Sequence, residues 1–261
     1  MTIAMLDPSK FVALVTGATA GMGEAIARRF VEAGGRVVAT GRRADRLARL
    51  AGELGERLHP AELDVRDYAA AEALLASLPE PFRAINVVVA NAGLALGLKP
   101  AHEADMEDWR RMIDTNVTGL VNTVRATLPG MVERGRGHVI AIGSIAGDYP
   151  YAGGNVYGGT KAFAKQFCLA LRSDLVGTSV RVTNIEPGMT ETEFSLVRFK
   201  GDEARAASVY EGAEVMSGAD VAEMAFWCAS LPEHVSVARL QATPTDQAFA
   251  RPEMMRRKAG G

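Results

Sequence analysis

The chain is poor in the residues that mark several protein classes. It has two cysteines, Cys168 and Cys228, in 261 residues. Two isolated cysteines do not make a disulfide framework, and both fall in apolar, helical surroundings, so they read as buried thiols. The four histidines, His59, His102, His138 and His234, are scattered along the chain. None has the close spacing that ligates zinc, and no metal is expected. Charge is balanced, with 29 Lys and Arg against 31 Asp and Glu, so the basic footprint of a nucleic-acid binder is missing. Long apolar runs are missing too. The uncharged stretch Ile85–Leu98 is interrupted by Asn86 and Asn91 and is shorter than the ~20 residues that cross a bilayer. Asp7 and Lys10 precede the first apolar run, and cleavage beyond that run would remove a glycine-rich turn, so no secretory signal is expected. These absences predict a cytoplasmic protein with neither membrane nor nucleic acid as partner.

What is present is a core. Hydrophobic residues make up 48% of the chain, enough for one well-buried α/β domain. The reading is a single domain over 1–250, with 251–261 as a basic, glycine-ended tail that frays. Strand-like apolar runs at Phe11–Thr16, Arg36–Thr40, His59–Leu63, Ile85–Ala90, Gly137–Ile142, Val180–Ile185 and Val237–Leu240 alternate with helical stretches. The helices are expected at Gly21–Ala33, Ala44–Leu54, Tyr68–Leu78, Met106–Glu133, Val156–Leu175 and Ala219–Ser230. Such alternation predicts an α/β fold of the doubly wound Rossmann type, with about seven parallel strands and helices on both faces. Ligands of such sheets bind outside the carboxyl ends of the strands, at the point where strand order reverses. The segment 188–218 breaks the alternation with mixed charges and weak periodicity. It reads as a surface excursion or as a substrate lid.

Several local patterns carry chemistry. The first strand runs straight into Thr16-Gly17-Ala18-Thr19-Ala20-Gly21-Met22-Gly23, and a helix follows. Strand, glycine-rich turn and helix present backbone N–H groups to a pyrophosphate, although the spacing is G-x-x-x-G-x-G. Farther on, Tyr157 and Lys161 stand four residues apart, thirteen residues after Ser144. On a helix, positions i and i+4 share a face, which makes the phenol and the ammonium neighbours. A free tyrosine titrates near ~10. An adjacent positive charge lowers that value and prepares Tyr157 for proton exchange, while the Ser144 hydroxyl is placed to bond the same substrate oxygen. Taken alone, a Tyr-x-x-x-Lys pair is most often a solvated helix face; its weight comes from the other motifs.

In order along the chain these motifs are Thr16-Gly17-x3-Gly21-x-Gly23, Asp64 after Leu63, Asn91-Ala92-Gly93, Asn116 between Thr115 and Val117, Ser144, Tyr157-x3-Lys161 and Pro187-Gly188. The set resembles the short-chain dehydrogenase/reductase family, over roughly Lys10 to Ala242. That resemblance implies hydride transfer between a nicotinamide and a carbinol or carbonyl carbon. Tyr157 is then the acid and base, Lys161 its modulator and a ligand of the nicotinamide ribose, and Ser144 the group that orients the substrate oxygen. Asn116 is a local helix kink holding a water that relays protons to Lys161. The cofactor-binding set comprises Gly17, Thr19, Ala20, Gly21, Met22, Gly23, Arg42, Arg43, Asp64, Val65, Asn91, Ala92, Gly93, Tyr157, Lys161, Pro187, Gly188 and Thr190.

Cofactor choice has its own signal. NAD sites usually place Asp or Glu at the end of the second strand to hold the ribose 2′-hydroxyl. Here Val37–Thr40 is followed by Gly41-Arg42-Arg43, and two guanidiniums suit a 2′-phosphate, so NADP is expected. Further stretches, among them Tyr151–Gly158 and Val197–Gly201, are similar to the NADP-dependent 3-hydroxy acid dehydrogenase branch, which acts on L-serine, L-allo-threonine and related acids and includes reducers of malonic semialdehyde. The likeness implies a homotetramer with Met106–Glu133 and Val156–Leu175 at one interface. A substrate carboxylate needs a cationic partner, for which Arg198 and Lys200 are candidates beside Ser144 and Tyr157. The lid start, Gly188–Phe194, is more acidic than the branch leads one to expect. Glu186 reads either as partner to a substrate ammonium or as pair to a lid cation. A reductase of another carbonyl (a ketone, sugar or acyl-carrier ketoester) and a non-catalytic NADP-binding sensor are the competing functions. The second should lack Ser144, Tyr157 or Lys161, and all three are present.

Overall fold

The computed structural model describes residues 4–248; the tail expected to fray, 251–261, lies outside the described residues. The strands are β1 (Val12–Thr16), β2 (Arg36–Gly41), β3 (Leu58–Glu62), β4 (Val87–Ala90), β5 (Gly137–Ile142), β6 (Val180–Pro187), β7 (Thr190–Glu191), β8 (Met216–Ser217) and β9 (Arg239–Ala242). The α-helices are α1 (Gly21–Glu32), α2 (Ala44–Leu54), α3 (Tyr68–Ser77), α4 (Glu80–Arg83), α5 (Met106–Ile113), α6 (Gly119–Glu133), α7 (Asn155–Asp174), α8 (Phe194–Arg198), α9 (Glu203–Ser208) and α10 (Gly218–Ser230). Seven strands form one all-parallel sheet in the order β3-β2-β1-β4-β5-β6-β9. This is the expected Rossmann-type sheet.

The apolar runs explain the strand order. Every residue of β1, β4, β5 and β6 is buried, as strands covered by helices on both faces require. The two edge strands are half-exposed instead. Pro60 lies on edge strand β3, where a missing N–H costs least. One core gathers α1, α2 and α10 on one face, with Phe30 set 5.8 Å from Phe11 and 5.5 Å from Phe226, ring centre to ring centre. A second core joins α6 and α7 to the other face through Val124, Met131, Ala164 and Leu171. Cys228 lies in the first and Cys168 in the second, both as free thiols whose pKa burial pushes up, to about 11 and about 12.

Strand order reverses between β1 and β4, and the loops leaving these strands open a cleft there. Two elements differ from expectation. The helix expected over Met106–Glu133 is broken at Asp114–Thr118, where Gly119 N–H donates to Asp114 O five residues back in a π turn. The segment 188–218 holds short elements that weak periodicity conceals: β7 pairs with β8, and α8 and α9 lie between them.

Candidate active site

The glycine turn after β1 forms the floor of the cleft. Gly17 and Gly21 have φ of +67° and +55°, a region that residues with a Cβ enter at a cost. A Cβ on Gly23 would lie 2.3 Å from the Gly17 carbonyl oxygen. Gly23 therefore does not line the cleft itself; it lets α1 pack against the turn so that its N-terminus faces the opening. Thr16 fastens the next wall, its hydroxyl oxygen accepting from Asn91 N at 3.1 Å and Ala92 N at 3.0 Å. Gly17, Thr19, Ala20, Gly21, Met22, Arg42, Arg43, Asp64, Val65, Asn91, Ala92 and Gly93 all line one cavity of about 320 Å³. The structure thus brings these residues, expected to bind nucleotide, into one cavity, with Gly23 outside its lining. Arg66 is bidentate to Asp64, with Nη2 2.5 Å from Oδ2, and holds that carboxyl below its usual range.

A second cavity of about 450 Å³ continues from Met22, Asn91 and Gly93 to Ser144, Tyr157 and Lys161, and Pro187, Gly188 and Thr190 line its far side. Ser144, at the end of β5, caps a short turn by accepting from Ala146 N at 3.1 Å and bonds the Tyr157 phenol. Lys161 Nζ donates to Ile142 O at 2.8 Å and lies 5.8 Å from the Tyr157 ring centre. Both helix residues are 9% exposed, and burial overturns the expected pKa order. Desolvation pushes Tyr157 up to about 12, against the opposing Ser144 bond and the more distant Arg198 charge. Desolvation also pushes Lys161 down to about 8. Proximity of the ammonium does not lower the phenol here, because the low-dielectric surroundings act on both groups.

Asn116 sits in the π turn, where the kink was expected, and its side chain is engaged with protein groups. Its Oδ1 accepts from Leu94 N at 2.8 Å, and its Nδ2 donates to Leu94 O at 2.8 Å and to Thr160 Oγ1 at 3.0 Å. Asn116 ties the wall after Gly93 to the Tyr157 helix, which is a positioning role.

The lid residues divide. Arg198 lines the second cavity, with its guanidinium carbon 5.2 Å from the Tyr157 ring centre and Nη2 donating to Tyr151 OH at 2.7 Å. Its Nε is buried without a partner. Lys200 does not reach this cavity; it pairs with Asp108 at 2.8 Å and faces a neighbouring pocket. The mixed charges of the lid concealed that partner, 92 residues away on α5. Glu186 lines neither cavity, and its cationic partner comes from β9 and not from the lid. It is 1% exposed and accepts from Arg239 Nε at 2.8 Å and Nη2 at 2.7 Å. Arg239 belongs to β9 and also pairs with Asp148, just beyond Ser144, so this network fastens the Ser144 loop to the sheet edge. Reasoning from sequence missed Tyr151 and Phe194, whose rings flank Arg198 at 5.7 Å and 5.1 Å. Aromatics near a serine motif and a lid were the available signal.

The short chain dehydrogenase family model matches residues 11–202. The chain belongs to the short-chain dehydrogenase family. It is 59% identical over 240 residues to the NADP-dependent 3-hydroxy acid dehydrogenase YdfG of Salmonella typhi, covering 92% of this chain and 97% of the relative. It is 50% identical to the serine 3-dehydrogenase of Agrobacterium fabrum, covering 91% and 95%. Among solved structures, the closed form of serine dehydrogenase complexed with NADP+ matches with a TM-score of 0.93 and 56% identity, over 94% of this chain and 99% of that one. Family, fold and motif geometry therefore agree on an oxidoreductase.

Proposed function

We propose that the protein transfers a hydride between NADP(H) and the β-carbon of a small 3-hydroxy acid or its carbonyl form. L-Serine, L-allo-threonine and 3-hydroxypropionate, with malonic semialdehyde as a reducible partner, are the substrate class. The observation that carries this reading is Arg198, a cation with a partnerless Nε in the same cavity as Tyr157 and Ser144. A carboxylate would satisfy that donor and would itself be costly to bury unpaired. The names of the relatives above, with 3-hydroxy acid and serine as substrates and NADP as cofactor, support the same chemistry.

The residues fit a dinucleotide. The turn at Gly17 and Gly21 and the N-terminus of α1 would hold its pyrophosphate, Arg42 and Arg43 its 2′-phosphate, and Asn91 to Gly93 the nicotinamide ribose side. When bound, the nicotinamide supplies or accepts the hydride. Ser144 Oγ and Tyr157 OH hold the substrate oxygen between them. In reduction, a phenol pushed to about 12 is fully protonated at neutral pH and is ready to donate. In oxidation the same oxygen must accept the proton, and the charge of Arg198 and the Ser144 hydrogen bond favour the phenolate. The Asn116 bonds keep α7 and the Leu94 wall in register during either step.

Residues 1–250 are read as one domain, with 188–218 acting as a lid over both cavities. Thr192 and Phe194 line each of them, which supports that role. A homotetramer is supported by exposed apolar side chains on the expected interface helices: Met106, Ile113 and Phe163 are 53%, 44% and 38% exposed. No helix among the described residues is long and apolar enough to cross a membrane, and a cytoplasmic setting remains the proposal. Initial rates with NADP+ and NAD+ across L-serine, L-allo-threonine, 3-hydroxypropionate and neutral secondary alcohols test the function. The acids with NADP+ should be fastest; a preference for neutral alcohols would replace this reading with that of a general carbonyl reductase.

A further inference from the structure

Glu193 immediately precedes α8, and its carboxylate lies between Arg43, which lines the nucleotide cavity, and Arg46 in the first turn of α2. Its Oε2 accepts from Arg43 Nη1 at 3.0 Å and its Oε1 from Arg46 Nη1 at 2.6 Å. Arg43 is itself aimed by Thr19, whose hydroxyl oxygen accepts from Nε at 3.0 Å and from Nη2 at 2.8 Å. Thr19 has no slack, since a Cβ on Gly41 would lie 2.6 Å from its Cγ2. The neighbouring lid residue Thr192 rests on the glycine turn, where a Cβ on Gly21 would lie 3.0 Å from its own Cβ. One lid carboxylate thus bridges two guanidiniums at the end of β2, where the 2′-phosphate is placed by the cofactor reading. Partial burial opposes its ionisation, but the bonds from Arg46 and Arg43 outweigh that and hold its pKa below the usual carboxylate value.

A phosphate dianion and this carboxylate compete for Arg43, because like charges at hydrogen-bond range repel. We propose that Glu193 is a specificity-determining latch: it occupies Arg43 and Arg46 in the free enzyme and is displaced by the 2′-phosphate. Only the phosphorylated dinucleotide then releases the first turn of the lid. NAD leaves the latch in place, so part of the discrimination is exerted through the lid. Arg46, in the first turn of α2, stands three residues beyond Arg43, which immediately precedes the helix, and becomes a further cation of the phosphate site once Glu193 leaves. The inference rests on the NADP reading, and its test separates the two.

Dissociation constants for NADPH and NADH are measured by fluorescence titration on the wild-type protein and on Glu193→Gln. Exposed ion pairs are each worth at most about 1 kcal/mol, so removing the competing charge should tighten NADPH binding about fivefold. NADH binding should stay within about twofold, by the same arithmetic. Hydrogen exchange supplies a second readout. Adding 2′,5′-ADP should raise exchange at Phe194–Val197 in the wild type, adding 5′-AMP should not, and neither should matter in Glu193→Gln. Unchanged or weaker NADPH binding in the variant, or equal gains for both cofactors, would overturn the latch. A wild-type protein without preference for NADPH would instead overturn the cofactor reading beneath it.

Discussion

The two ends of the cleft handle charge in opposite ways. At the substrate end, Tyr157 and Lys161 are 9% exposed, and desolvation is the largest cause of both pKa shifts. At the end proposed to hold the 2′-phosphate, the phosphate end, the Arg43 side chain is 42% exposed and the Glu193 side chain 40%. There, the number of charges and their hydrogen bonds matter more than the medium. Burial makes a proton transfer tunable, because a small change in surroundings moves a pKa by several units. Exposure makes an ion site exchangeable, because each pair is weak and screened. A phosphate end as dry as the catalytic one would bind its ligand too rigidly to be gated by a lid.

The largest effect should come from breaking the buried end. Removing the hydroxyl in Tyr157→Phe takes away the proton donor while leaving the ring, its 5.6 Å contact with Phe194 and the nucleotide cavity in place. Positioned acid–base catalysis contributes ~10²–10⁴-fold. The variant should lose turnover by that factor while NADPH still binds in a fluorescence titration. A variant that keeps more than about a tenth of the wild-type rate would remove Tyr157 from its role.

The exposed end should fail more gently. Replacing both Arg42 and Arg43 with alanine deletes two charge-assisted contacts, each worth roughly 1.5–3 kcal/mol when dry and less where water screens them. Preference for NADP over NAD should drop about 10²-fold, at ~1.4 kcal/mol per decade. The KM for NAD should scarcely move, and raising salt should weaken wild-type NADP binding more than NAD binding. Efficient use of NAD by the wild type would show that the arginines do something else.

The difference between the ends also explains what could be read without coordinates. The sheet, the glycine turn, Ser144, Tyr157-x3-Lys161 and the arginines after β2 are local patterns, each contained in a few consecutive residues. They were legible because backbone geometry fixes them. The pKa order of Tyr157 and Lys161 was not legible, because spacing reports which groups are neighbours and not how much water surrounds them. Glu186 was open because its partner, Arg239, stands 53 residues away on an edge strand. The partner of Lys200 was hidden for the same reason, since Asp108 comes from α5. The π turn at Asn116 was half legible: a poor helix former marked the place, but the Leu94 backbone that takes up its amide is a tertiary contact.

Lys161 turns the comparison into a stability measurement. Its folded value of about 8 lies below the ordinary 10.5. Between those values the unfolded chain holds a proton that the folded chain lacks, so the free energy of unfolding rises with pH across that window. Below about 8 the whole cost of burying the ammonium is present. Lys161→Met should therefore be more stable than the wild type at pH 7, on the order of 2 kcal/mol after allowing for the lost bond to Ile142 O. The gain should shrink as pH approaches 10, and denaturant unfolding at pH 7 and pH 9.5 would show it. Staying below pH 10 keeps Tyr157 out of the comparison, since a raised phenol adds the opposite slope only above its unfolded value. A methionine variant less stable at pH 7 would mean that the ammonium is better solvated than its burial implies.

The smallest and most selective effect belongs to Arg198, which lines the substrate end. It is half-buried, flanked by the rings of Tyr151, Tyr157 and Phe194, and has one donor without a partner. Arg198→Ala leaves the Ser144 and Tyr157 hydroxyls in place, so neutral alcohols should lose only what the raised phenol pKa costs them. A carboxylate substrate loses a charge-assisted bond worth about 1.5–3 kcal/mol, reduced by partial exposure to roughly tenfold in kcat/KM. The loss should fall mainly on KM if the contact is equal in ground and transition states. The wild-type guanidinium also opposes desolvation of the phenol, so its removal should move the rising, acid-side limb of the pH–rate profile for oxidation to higher pH for every substrate. These two signatures separate its two roles: a substrate-dependent KM marks carboxylate recognition, and a substrate-independent pH shift marks the charge beside Tyr157. Equal loss for acids and alcohols without a pH shift would leave Arg198 with packing alone.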